Sequence, residues 1–223
     1  MTPLATLVLA ATAFVGSHFA MSHPLRAPLV GRLGERGFLG VYALVSFATL
    51  GWMAHAFRIA HAGASYLWDP GNAGWLIGTL LLWLGTILFV GSLRRNPALP
   101  TGGAPVTRIP DPTGVFRITR HPMLWGFTLW ATTHAIVAPT PPGLVLVAAI
   151  AILSLGGMFA QDAKKERLVG APWREWEART SLIPFARGLA SPGAFALLGG
   201  TALFLFATFT HGAIGAGPWR WLG

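Results

Sequence analysis

The stretch Arg117-Ile118-Thr119-Arg120-His121-Pro122-Met123-Leu124-Trp125-Gly126 carries two arginines and a histidine straight into an apolar segment that runs to Ala138. A proline tolerates the first position of a helix, where its missing N–H has no partner in any case, and it pushes the preceding residue out of helical angles. The motif therefore predicts His121 as the N-cap and Pro122 as the first residue of a helix that enters a membrane. Free backbone N–H groups and the positive end of the helix dipole then face the place that Arg117 and Arg120 reach, which suits a phosphate or carboxylate. The alternative is a plain anchor, with the arginines snorkelling to lipid head groups.

The rest of the composition agrees with a membrane. Hydrophobic residues make up 53% and charged residues 10% of the 223 residues, and the mean hydropathy is +0.58, which excludes an ordinary soluble domain. Working outward, apolar runs occur at Leu4 to Met21, Phe38 to about Ala60, Trp75 to Val90, Met123 to Ala138, Leu144 to Ala160 and Gly193 to about Phe209. The expected fold is all-α, a polytopic bundle of about six spans, each near the ~20 residues a hydrocarbon core requires. The first run has no basic segment before it and no small-residue cleavage site after it, so it reads as a retained span.

Between spans three and four, Pro97, Pro100, Pro105, Pro110 and Pro112 rule out a helix of any length. Spans four and five are joined by Pro139-Thr140-Pro141-Pro142-Gly143, a tight turn that makes them an antiparallel hairpin. After span five comes a polar, amphipathic stretch, Gln161 to Arg187, whose tryptophans beside arginines suit the interface. In the sixth run Gly199 and Gly200 are placed on a close helix contact. The loops after spans one, three and five hold 3, 5 and 6 of the 16 lysines and arginines, leaving Arg58 and Arg220 on the other side. The positive-inside rule then puts those loops and the amphipathic stretch in the cytoplasm and the N-terminus outside. The net charge of +9 is accounted for by topology and anionic lipid, and no nucleic-acid partner is needed.

With no cysteine in the chain, disulfides, thiolate metal sites and cysteine nucleophiles are excluded. Histidines inside a membrane are candidate functional groups because burying an ionisable side chain is costly. His18 lies in span one and His134 in span four, about 20 Å deeper than His121 along the helix. Two neutral imidazoles from different helices are a common way to hold a b-type haem, whereas a buried histidine is also often a hydrogen-bonded packing residue. No acidic residue lies within the spans to complete a zinc or hard-ion site.

Ser17-His18-Phe19, Ser22-His23-Pro24-Leu25-Arg26, Gly34-Glu35-Arg36-Gly37, the Arg-His-Pro motif and Asp162-Ala163-Lys164-Lys165 occur in an order that resembles the NnrU family of bacterial membrane proteins. The resemblance covers roughly residues 1 to 188, leaving 189 to 223 as an additional C-terminal span. It implies a bacterial inner-membrane location and a link with denitrification and nitric oxide metabolism. The pattern is also similar to the haem-dependent 15-cis-zeta-carotene isomerase. That likeness implies axial ligands at His18 and His134 and a hydrophobic substrate; in a haem-binding reading Arg117 and Arg120 are expected on the propionates. Ala131 stands where the isomerase has a cysteine. A more distant likeness, through Arg120-His121-Pro122, Gly170-Ala171-Pro172-Trp173 and Ile183-Pro184, is to isoprenylcysteine and phospholipid methyltransferases. It implies S-adenosylmethionine as cofactor, bound by Arg120, His121 and Asp162, with Gln161 in place of one member of the family's acidic pair. A third reading is a non-catalytic membrane interaction protein.

Overall fold

The computed structural model describes residues 1–223 except 102–103, 215–216 and 223. Seven helices follow one another: α1 (Pro3–Ser22), α2 (Arg26–His61), α3 (Gly71–Gly91), α4 (Pro122–Val137), α5 (Pro141–Val169), α6 (Ala171–Arg179) and α7 (Ala194–His211), with no strand among the described residues. Five of them, α1, α2, α3, α5 and α7, are long and apolar enough to cross a membrane. The apolar α4, with 16 residues, is shorter than these five, about 24 Å at 1.5 Å per residue, and it runs packed between α3 and α5. The chain is a multi-pass helical membrane protein, as its composition requires.

Local sequence explains the helix ends. Thr2 caps α1 through a hydrogen bond from Ala5 N, and Thr140 caps α5 by accepting from Gly143 N at 3.1 Å, each followed by proline in the first turn. The expected hairpin of spans four and five is present. His121 is the N-cap of α4 and Pro122 its first residue, as the motif predicts. The connection between α3 and α4 holds one 3-10 turn, Gly114–Arg117, and no longer helix.

Two boundaries differ from the expectation. The second helix begins at Arg26, twelve residues before the apolar run, and bends at Gly34, whose φ of 69° only glycine adopts without strain. The fifth helix does not stop at Ala160 but continues to Val169, where Gly170 at φ 73° ends it. Nothing in Gln161-Asp162-Ala163-Lys164-Lys165 breaks a helix, so loss of hydropathy marks the membrane border and not the helix end.

Close packing sets the arrangement. The α3–α7 contact is built on small residues. A Cβ added at Gly199 would lie 2.9 Å from Val90 Cγ1, and one at Gly200 would lie 2.7 Å from the Ile87 backbone nitrogen. Gly85 and Gly126 bring α3 and α4 together in the same way, an added Cβ at each lying 3.2 and 2.9 Å from the other's carbonyl oxygen. α1 packs on α2 and α5, and α4 packs on α3 and α5, so that α5 stands between the two groups.

Candidate functional site

Because α5 continues past the membrane border, it carries Asp162 opposite the start of α4. Arg120 donates to Asp162 Oδ2 from Nε at 2.8 Å and from Nη2 at 2.6 Å, and His121 Nε2 lies 2.8 Å from Oδ1. Asp162 and His121 are both buried. A second carboxylate, Glu177 on α6, stands 3.8 Å from Arg120. Burial, and after it the charge of Asp162, raises the Glu177 carboxyl above its ordinary range. The backbone is stitched across the same place. Arg120 N donates to Ser181 O at 2.8 Å and Phe185 N to Ile118 O at 2.9 Å, while Thr119 Oγ1 and Trp125 Nε1 both donate to Leu182 O. Beneath it Val115, Phe116, Ile118, Trp173 and Trp176 form a buried apolar cluster.

The structure thus joins three of the expected site residues, Arg120, His121 and Asp162, but joins them to one another. The anion expected at the start of α4 is supplied internally by Asp162. With its two oxygens engaged by Arg120 and His121, Asp162 has little capacity for a ligand amine or ribose, and the S-adenosylmethionine roles implied for Arg120 and Asp162 are taken up by this lock. Gln161 donates to Ala98 O at 3.0 Å, and the second acid beside Arg120 is Glu177. Arg117 is exposed.

Next to the lock lies a cavity of about 470 Å³ between α1, α2 and α5, roofed by the proline-rich connection near Ala98 and Val106. Its polar wall is Arg26, Glu35, Lys164 and Lys165, and its apolar wall includes Phe38 and Tyr42. The bend at Gly34 lets Arg26 Nη2 hold both Glu35 oxygens, at 2.7 and 2.8 Å, with the guanidinium 5.4 Å from the Phe38 ring centre. Lys164 Nζ donates to Ser22 Oγ at 2.8 Å. Lys165 Nζ donates to the carbonyls of Pro97 and Leu99, both at 2.9 Å. The residue is 7% exposed, and among the described residues no carboxylate forms an ion pair with it. Sequence reasoning did not assign Lys164 and Lys165 to a site. The available signal was their spacing from Asp162, which on a continued helix places them on the flank turned toward α1 and the connection.

The two histidines expected to share a haem lie apart. His18 holds Nδ1 2.7 Å from Phe14 O and packs between the rings of Phe14 and Tyr42, at 4.4 and 5.5 Å. His134 holds Nδ1 2.9 Å from Trp130 O and stacks on Trp130 at 4.2 Å. His18 is one turn from the basic end of α1, whereas His134 is one turn from the opposite end of α4, a depth difference of about 12 Å. α5 also stands between their helices. Axial ligation needs both nitrogens within about 2 Å of one metal, so haem b does not fit the His18–His134 pair in this structure.

A family model described as NnrU protein matches residues 6–218, a stretch that includes the Arg-His-Pro motif, the cavity and α7. No curated protein and no solved structure matches the chain.

Proposed function

The chain belongs to the NnrU family, and we propose that it binds an amphipathic anion, a phosphate or carboxylate head group with an apolar tail, in the cavity between α1, α2 and α5. The observation that carries this reading is Lys165, 7% exposed, whose ammonium has two carbonyl acceptors and the Trp173 ring beside it but no ion-paired carboxylate among the described residues. Lysine is rarely buried so completely without an anion, because losing water costs more than two neutral acceptors return. Arg26 and Lys164 share the cavity with Lys165, and Glu35, which Arg26 already holds, is the one carboxylate among the lining residues, so the wall is two negative charges short of balance. Phe38, Tyr42 and Leu168 on the other wall suit a tail arriving from the leaflet on the basic side of the membrane. The chain's own residues would hold the head group on Lys164 and Lys165 and keep water from it under the connection, while the Arg120–Asp162 lock fixes α5 beside them.

The test is a titration of the detergent-purified protein with short-chain phosphatidic acid, read by native mass spectrometry, with phosphatidylcholine as the neutral comparison. Preference for the anionic lipid that drops at least tenfold in Lys165→Met is expected. Equal binding of both lipids, or a Lys165→Met protein that retains the preference, overturns the proposal.

One observation favours a particular occupant. Haem b is itself an amphipathic dianion. His18, whose Nδ1 is committed to Phe14 O, packs against Tyr42, a wall of this cavity. In this second reading His18 serves as the axial ligand and the basic wall receives the propionates. Haem would then supply the isomerase or redox chemistry that the resemblance implies, in a membrane protein linked to nitric oxide metabolism. It predicts a Soret band on reconstitution that His18→Ala removes and His134→Ala leaves in place. A band requiring His134, or no band at all, rules out His18 as the sole ligand.

A further inference from the structure

On the opposite side of the membrane a second, small cavity of about 90 Å³ is lined by His134 and His211 among mostly apolar neighbours, including Trp75, Phe204 and Trp219. The two imidazoles come from different helices, α4 and α7, and their ring centres are 6.4 Å apart. Each ring is oriented by the same device. His134 Nδ1 is 2.9 Å from Trp130 O and His211 Nδ1 is 2.6 Å from Ala207 O, the carbonyls four residues back. Bonding of Nδ1–H to a carbonyl fixes the tautomer and leaves Nε2 as the lone-pair nitrogen, as in metal-binding histidines. With a metal–nitrogen bond of about 2 Å on each side, one ion fits between two rings at this separation.

Charge selects the ion. The only acidic residue on this side of the membrane is Asp69, which does not line the cavity and whose carboxylate accepts from Gly71 N. A divalent ion would bring two uncompensated charges into an apolar space and would lack its third and fourth ligands. A monovalent, polarizable ion content with two neutral nitrogens meets neither objection. We propose that His134 and His211 form a two-coordinate site for Cu(I) on the side of the membrane opposite the basic face. No electron transfer is invoked, since the ion binds and leaves as Cu(I). The site is independent of the anion cavity, which lies at the other ends of the helices.

The experiment is competition of the full-length protein in detergent for Cu(I) held by bicinchoninate, under reductant. One equivalent per chain is expected. His211→Leu should lower the affinity at least a hundredfold, His211→Met should retain most of it because a thioether also serves Cu(I), and His61→Leu, a histidine on the same side but outside the cavity, should leave it unchanged. Absence of binding by the unmutated protein, unchanged binding by a monodisperse His211→Leu, or equal competition by Zn²⁺ would each overturn the proposal. If His211→Leu does not elute as a folded protein, the X-ray absorption edge of the copper-loaded unmutated protein decides. Two nitrogen neighbours support the site, and three or four ligands refute it.

Discussion

Replacing Asp162 by Asn tests whether the contact between α4 and α5 is a buried electrostatic lock or an exposed ion pair. The Arg120 side chain is 15% exposed and that of Asp162 12%, while His121 is 1% exposed. Removing one partner of a buried pair costs about 3–5 kcal/mol because the charge left behind stays out of water. An exposed pair would cost about 1 kcal/mol or less. Two features moderate the buried value here. Asn keeps one oxygen for Arg120, and Glu177 at 3.8 Å offers the guanidinium a replacement anion. The expected loss is therefore about 2–3 kcal/mol, which the size scaling of folded domains converts to a fall in melting temperature on the order of 5–10 °C. Thermal unfolding in mild detergent, followed by the intrinsic fluorescence of the chain's ten tryptophans, reads the global loss. The cycle with Arg120→Met sharpens the result, since the double variant removes both charges and should be more stable than the sum of the single losses predicts. A loss below about 1 kcal/mol in Asp162→Asn, or strict additivity in the cycle, would refute the buried lock.

Two other predictions follow from the packing and the charge distribution. Gly200→Leu must push α3 and α7 apart, because even a Cβ meets the Ile87 backbone. A loss of about 3 kcal/mol is expected, with Gly199→Ala milder because only the end of the Val90 side chain has to yield, and equal stability of all three proteins would contradict the contact. Glu177 has its carboxyl raised in the folded state, first by burial and then by Asp162, so its protonated form contributes stability in acid that is lost as pH rises through the raised value. Glu177→Gln, fixed in the neutral form, should therefore gain on the unmutated protein between mildly acidic and neutral pH. A melting-temperature difference that stays constant or reverses over that interval would show that Arg120 and not burial dominates Glu177.

Much of the fold was legible in the chain because a bilayer imposes its requirements locally. Apolar runs near 20 residues, prolines that forbid helix between Arg94 and Arg120, and the asymmetry of lysine and arginine are properties of neighbouring residues. They determined the helical bundle and which ends share the basic side. Pro122 likewise determined that His121 caps α4, and the glycine pair at 199 and 200 determined a close contact, since both statements rest on backbone sterics. The boundaries that slipped, at Arg26 and Val169, are those where hydropathy ends and helical hydrogen bonding does not.

The site was decided elsewhere. Asp162 turned out to satisfy Arg120 and His121, Glu177 joined them 15 residues further on, and Lys165 was left buried with carbonyl partners and no ion-paired carboxylate, because α5 continues and packs against both the connection and α4. His18 and His134, plausible partners by type and span, were separated because α5 lies between their helices, and His134 faces His211 instead. The sequence alone determined which residues enter the membrane, which end of each helix is basic, and which side chains are chemically able to bind an anion or a metal. Which of them meet was decided by the tertiary structure, because pairing between helices depends on their order, depth and rotation in the bundle, and those are set by long-range contacts that no local pattern encodes.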